Sequence, residues 1–184
     1  TSLGMIYFFD KWVDREKIYL GIMAALLAAA TILLKPFFLV LFLPMIYLAW
    51  RKFGRRFWSK IRFWLFLVFA MVPFVLWRFW MLQYPEGIPE TRWLFNLEGI
   101  RFKGAFFYWI FAERIGKLIL GFWGLPLLVL GILTRVKKEG FFLYLWLLGV
   151  ITYLFIIAGG NVTHDYYQVM IIPIFCLFLA KGVV

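Results

Sequence analysis

Gly159-Gly160-Asn161-Val162-Thr163-His164-Asp165-Tyr166-Tyr167-Gln168 is a polar island between two long apolar runs. It gathers an imidazole, a carboxylate, two phenols and two amides in ten residues. Residues three and four apart share a helix face, so His164 is expected to stand with Tyr167 and Gln168, while Asp165 and Tyr166 diverge. Such a set offers imidazole, phenol and amide to one polar ligand, with the histidine as acid, base or phosphate partner. An ordinary loop whose Tyr166 and Tyr167 belong to an interfacial aromatic belt fits the same residues. The chain holds a single histidine, too few for a histidine-rich zinc site, and neither a metal nor a cofactor is expected. Asn161-Val162-Thr163 matches the N-glycosylation pattern, but a loop this close to a bilayer is a poor acceptor.

Lys35-Pro36 is the second candidate. A lysine at the mouth of a helix hairpin is a compact cation suited to a lipid-linked phosphate. It equally fits a snorkelling side chain at an interfacial turn. Segment 51–62 interleaves Arg51, Lys52, Arg55, Arg56, Lys60 and Arg62 with aromatics. Nucleic-acid grooves share that pattern, yet between two apolar spans it is expected to anchor against anionic lipids, with no nucleic-acid partner. Glu86, Glu90, Glu98 and Glu113 carry no partner that marks a general base and read as solvated loop charges. The catalytic residue stays unassigned.

The elements that must position these groups are oily. Of 184 residues 65% are hydrophobic, 23% aromatic and 16% charged, whereas soluble domains are about half apolar and about a quarter charged. The bilayer must therefore be the solvent for several segments. Apolar stretches at 18–34, 36–50, 63–82, 118–134, 141–158 and 166–180 predict an all-α, polytopic transmembrane helix bundle of about six spans, a single domain over 1–184. Lys35-Pro36 divides the first two, because proline cannot sit in a helix interior and a lysine at mid-bilayer is costly. A tight hairpin is expected there. Pro73, Pro126 and Pro173 fall inside spans and are expected to kink them. Cys176, the single cysteine, is expected as a small packing residue in a span.

Charge sets the orientation. Loops 10–17, 51–62 and 135–139 (with Arg135, Lys137 and Lys138), together with Lys181, hold most of the 20 basic residues. Positive-inside places them in the cytoplasm, and the net charge of +11 reflects this asymmetry. Lys35, the loop 83–117 and the His164 tip then face the extracytoplasmic side. Thr91-Arg92-Trp93-Leu94-Phe95-Asn96-Leu97 and Phe106-Phe107-Tyr108-Trp109-Ile110-Phe111 mix aromatics with isolated charges and predict interfacial helices in that loop. The nine-residue opening before Asp10 is too short to span and reads as the tail of a helix begun upstream, so the chain is expected to be a piece of a longer protein.

His164-x-Tyr166-Tyr167, five residues, Pro173, six residues, Ala180-x-Gly182 resembles the closing span of the GT-C superfamily of polyprenyl-phosphate-sugar-dependent glycosyltransferases. The resemblance is to the group of dolichyl-phosphate-mannose–protein mannosyltransferase and lipid A aminoarabinose transferase. Leu33-Leu34-Lys35-Pro36 followed by Leu43-Pro44 is similar to an internal hairpin of that family. This implies sugar transfer from a polyprenyl-phosphate donor to a lipid, glycan or protein acceptor at the extracytoplasmic face of the cytoplasmic membrane. It also implies an inverting reaction whose carboxylate base lies in a first external loop with no counterpart here. On the same resemblance, Lys35 would attract the donor phosphate, and His164, Tyr166 and Tyr167 would shape the donor pocket. A transporter or flippase of a lipid-linked substrate is the alternative, and a non-catalytic membrane scaffold a third. In a Cys176→Ala background, Thr163→Cys should react with an impermeant thiol reagent on intact cells and Ser59→Cys should not. The reverse pattern would overturn the orientation.

Overall fold

The computed structural model describes the 184-residue chain except at 88–89, 136 and 138–139, with the backbone alone at Leu97; Lys138 thus lies outside the described residues. Every regular element among the described residues is helical. The chain divides into two compact units, Thr1–Pro89 and Glu90–Val184.

In the first unit, α1 (Ser2–Arg15) and α2 (Ile18–Leu34) lead to α3 (Pro36–Ser59) and α4 (Ile61–Met81). Small residues let α2 lie between two neighbours: Ala24, Ala25, Ala28 and Ala29 are buried, and α1 and α4 pack on it. Gly21 gives Trp12 its place, since a Cβ there would come within 2.8 Å of the indole. Phe9 and Trp12 of α1 then meet Phe63 and Phe66 of α4 with ring centroids 5.1 to 6.2 Å apart. The expected tight hairpin is corrected. Lys35 does break the helix, in extended geometry (φ −152, ψ 110), because Pro36 follows it. Pro36–Leu41 still touches α2, but from Phe42 to Phe53 α3 packs on α1 instead.

The predicted basic loops 10–17 and 51–62 come together at one end of this unit. Glu16 closes α1 in the left-handed region (φ 53) and holds Lys60 at 3.4 Å and Arg62 at 3.1 Å. Lys52 Nζ donates to Asp14 O at 3.5 Å. Both pairs of Glu16 are exposed, so each contributes at most about 1 kcal/mol. Segment 51–62 is also less of a loop than expected. The α-helix ends at Phe53, where Gly54 takes positive φ (56), and 3-10 turns over Gly54–Ser59 carry α3 on to its full 24 residues.

The second unit holds α5 (Arg92–Asn96), α6 (Gly104–Ile119), α7 (Gly124–Leu133), α8 (Phe141–Ile156), α9 (Ala158–Thr163) and α10 (Ile172–Val183). Both aromatic segments of the loop 83–117 are helical, as predicted. The stretch 118–134 is not one straight rod: Gly121 and Phe122 take positive φ (55 and 59), and α6 and α7 meet at 107°. Pro126 and Pro173 sit in the first turns of α7 and α10, where a missing N–H costs nothing. Of these three, only Pro73 is interior, in α4. Cys176 is exposed on α10 rather than packed.

Helices α7 and α10 approach at backbone distance. A Cβ on Gly131 would fall onto the carbonyl oxygen of Phe178, and one on Gly182 onto that of Leu127. Small residues at such crossings are how helices associate when hydrophobic burial gives little drive.

Two helices, α3 and α4, are long and apolar enough to cross a membrane, and the bent pair α6–α7 makes a third if it is one span. The apolar helices α2, α8 and α10 have 17, 16 and 12 residues. Gly131→Ala should lower the thermal midpoint of the detergent-purified protein by the equivalent of about 1–3 kcal/mol. An unchanged midpoint would contradict the close α7–α10 crossing.

Candidate functional site

The polar island folds around α9. Ile157 leaves helical geometry (φ −98, ψ 45), ending α8 and letting Ala-Gly-Gly-Asn-Val-Thr form a separate short helix. Its small side chains let other segments collapse onto it: α5, α6, Leu97–Phe102 and Asp165–Met170 all pack there. Gly159 is required, because a Cβ would strike the carbonyl oxygen of Trp93. The Asn161-Val162-Thr163 tripeptide, expected to be a poor glycosylation acceptor, is helical rather than a loop, and Asn161 is fully buried.

Beneath the surface lies a buried polar pair. Asn161 Nδ2 donates to Ile157 O at 2.9 Å, and Gln168 Nε2 donates to Asn161 O at 2.7 Å and to its Oδ1 at 3.2 Å. The Tyr153 hydroxyl donates to Tyr167 O at 3.1 Å. Together these bonds fix the 165–170 turns against α8 and α9. Gln168 is only 2% exposed, which corrects the expectation that it shares a ligand-facing helix surface with His164. The helix stops at His164, whose backbone is extended (φ −128, ψ 131), so the three-and-four spacing no longer applies.

Above this pair the rings assemble. His164 stacks on Tyr166 (5.3 Å, 24°) and lies near-parallel to Tyr167 (6.2 Å, 22°). Tyr166 and Tyr167 are 4.7 Å apart, and Trp93 from α5 meets the imidazole edge-on at 5.6 Å. Tyr166 is half exposed, Tyr167 is buried and His164 lies between. Asp165 is exposed.

Two arginines that the sequence did not mark complete the tip. Arg101 Nη2 donates to Phe95 O at 3.0 Å and to Ile156 O at 3.1 Å. Arg114 Nη2 donates to Val162 O at 3.3 Å, with its guanidinium 5.7 Å from the Trp109 ring. Each therefore sits on a carbonyl at the end of a short or broken helix, where the macrodipole favours a cation. In the sequence they look like isolated charges in an aromatic loop. A lone arginine beside aromatics, upstream of a Gly-Gly helix breaker, was the available signal.

Of the loop acids, Glu113 accepts from the Tyr108 hydroxyl at 2.9 Å and from Lys117 at 3.2 Å. Glu86, Glu90 and Glu98 are exposed. Among the described residues no three His, Cys, Asp or Glu side chains gather as a metal site. In the first unit, Lys35 is half-buried at its break, and loss of water draws its pKa below the ordinary lysine value.

The tip thus offers stacked ring faces for an apolar or sugar surface, an imidazole for proton transfer or phosphate contact, and guanidinium charge at the rim. Gln168→Leu removes the donor to Asn161 and leaves buried oxygens without a partner. It should cost about 1–3 kcal/mol in thermal unfolding, whereas Tyr166→Ala, on an exposed ring, should cost less than half as much. No known protein family, no curated protein and no solved structure matches this chain.

Proposed function

We propose that this chain is the membrane part of a GT-C-type glycosyltransferase that takes a sugar from a polyprenyl-phosphate carrier and passes it to a lipid, glycan or protein acceptor. In this reading it is a multi-pass protein of the cytoplasmic membrane, with about six spans and the His164 tip at the extracytoplasmic face. The observation that carries it is the stack of His164, Tyr166 and Tyr167 against Trp93, with Arg101 and Arg114 on the same tip. An alkyl carrier with a phosphate head needs an apolar body capped by cations and a ring surface for the sugar. The opposite end of the second unit is built differently: Lys181 and Tyr144 are spent on the carbonyls that close α7.

Lys35 is the cation that the resemblance assigns to the donor phosphate, and its half-buried position at a helix break suits that role. The general base is left open, since no acid at the tip has a partner arrangement that marks it. A transporter of a lipid-linked substrate is the second reading, favoured by the 107° bend between α6 and α7 and by the interruption at Ile157, because broken helices are common where transporters bind cargo.

Membranes carrying the protein should transfer labelled sugar from its polyprenyl-phosphate form. His164→Ala and Lys35→Ala should each lower that transfer about ten- to hundredfold, the scale of a charge-assisted contact, with membrane insertion unchanged. Movement of the carrier between leaflets without any sugar transfer would favour the transporter. Full transfer by both variants would remove these residues from the site.

A further inference from the structure

The first unit carries a feature of different chemistry at the end away from Lys35. Helices α3 and α4, with Phe9 of α1, line a groove of about 140 Å3 whose walls are almost wholly apolar atoms. Met45, Ile46 and Phe42 form one wall, Phe66 and Leu67 the other. From Phe42 to Ala49, both on its lining, the groove follows α3 for about 10 Å at 1.5 Å per residue. That length and composition suit one hydrocarbon chain and give a polar ligand nothing to bond.

Its mouth has a different chemistry. Trp58 and Trp64 stand there with ring centroids 6.1 Å apart, and Trp64 Nε1 donates to Trp58 O at 2.9 Å. Each is about half exposed, the amphipathic placement of rings at a membrane interface. Gly54–Ser59, the turns that carry Phe57 and Trp58 into the lining, also carry Arg55 and Arg56, both exposed. Lys52 precedes them, exposed, and Lys60 and Arg62 share the single carboxylate of Glu16. The mouth is therefore rich in positive charge, while the groove behind it is neutral and oily.

We infer that this groove binds an anionic phospholipid, one acyl chain running along α3 and α4 and the phosphate held at Arg55 and Arg56. An anionic headgroup satisfies the mouth, and an acyl chain the interior; a zwitterionic lipid satisfies only the second. A second copy of the chain is a poor occupant, because a symmetric contact would bring this basic turn against itself. The site is separate from the His164 tip and does not depend on any sugar-transfer activity.

The test is native mass spectrometry on the full chain purified from mixed micelles holding equal phosphatidylglycerol and phosphatidylcholine. One phosphatidylglycerol should be retained per chain, in preference to phosphatidylcholine. Arg55→Gln with Arg56→Gln should cut that preference on the order of twentyfold, about fivefold per charge near an anionic headgroup. Both arginines are exposed, so the fold should survive. Ile46→Trp, which fills the groove from a partly exposed position, should evict both lipids. Equal retention of the two lipids, or a preference that persists without the arginines, would overturn the inference. So would a dimer that Ile46→Trp dissociates, which would assign the groove to a second copy.

Discussion

In a chain this apolar, the carbonyls left over at each helix end have little water to turn to, so side-chain donors must reach them. The second unit is organised by that need. Lys181 Nζ donates to Gly131 O at 2.9 Å and to Thr134 O at 3.1 Å, and the Tyr144 hydroxyl reaches Ile132 O and Thr134 O. Arg101 closes the end of α8 and Arg114 that of α9. Lys181, Arg101 and Arg114 come from far along the chain, 47 to 55 residues from these acceptors. Closing a helix therefore also folds the chain, and basic residues that look like surface charges act as tertiary ties.

Glycine is the complementary device. Gly131 and Gly182 let α7 and α10 touch through their backbones, and Gly159 lets the main chain at Trp93 rest on α9. The first contact builds the frame of the unit; the second brings an aromatic from the 83–117 segment to His164. Without Gly159 the indole would be held away from the imidazole, and the ring cluster would lose its edge. The buried Asn161–Gln168 pair then holds the tip rigid from below. A ligand at this tip would meet preformed rings, which lowers the ordering cost of binding.

Within each unit the basic ends and the polar turns separate along the helices. In the first, Glu16, Lys52, Lys60 and Arg62 gather at one end and Lys35 lies at the far end of α2. In the second, Lys181 and Tyr144 gather at the end of α7, while Arg101, Arg114 and His164 gather around α9. Each unit thus has two chemically distinct poles. In the two proposals, the pole with Trp58 and Arg55 takes a lipid headgroup, and the pole with His164 takes a phosphate and a sugar.

The sequence alone determined the helical class, the apolar stretches, the break at Lys35-Pro36 and the polar character of the His164 tip. These follow from composition and from single residues whose preferences are strong: proline lacks a donor, and long apolar runs exclude loops. It could not determine which side chains meet. Helical spacing carried through His164 places Gln168 beside it. The fold instead ends α9 at Thr163 and turns Gln168 inward to satisfy Asn161. Trp93, Arg101 and Arg114 were invisible as site residues because their roles depend on carbonyls and glycines more than forty residues away. Local spacing describes one helix at a time, whereas a buried donor finds its acceptor only once the chain has packed.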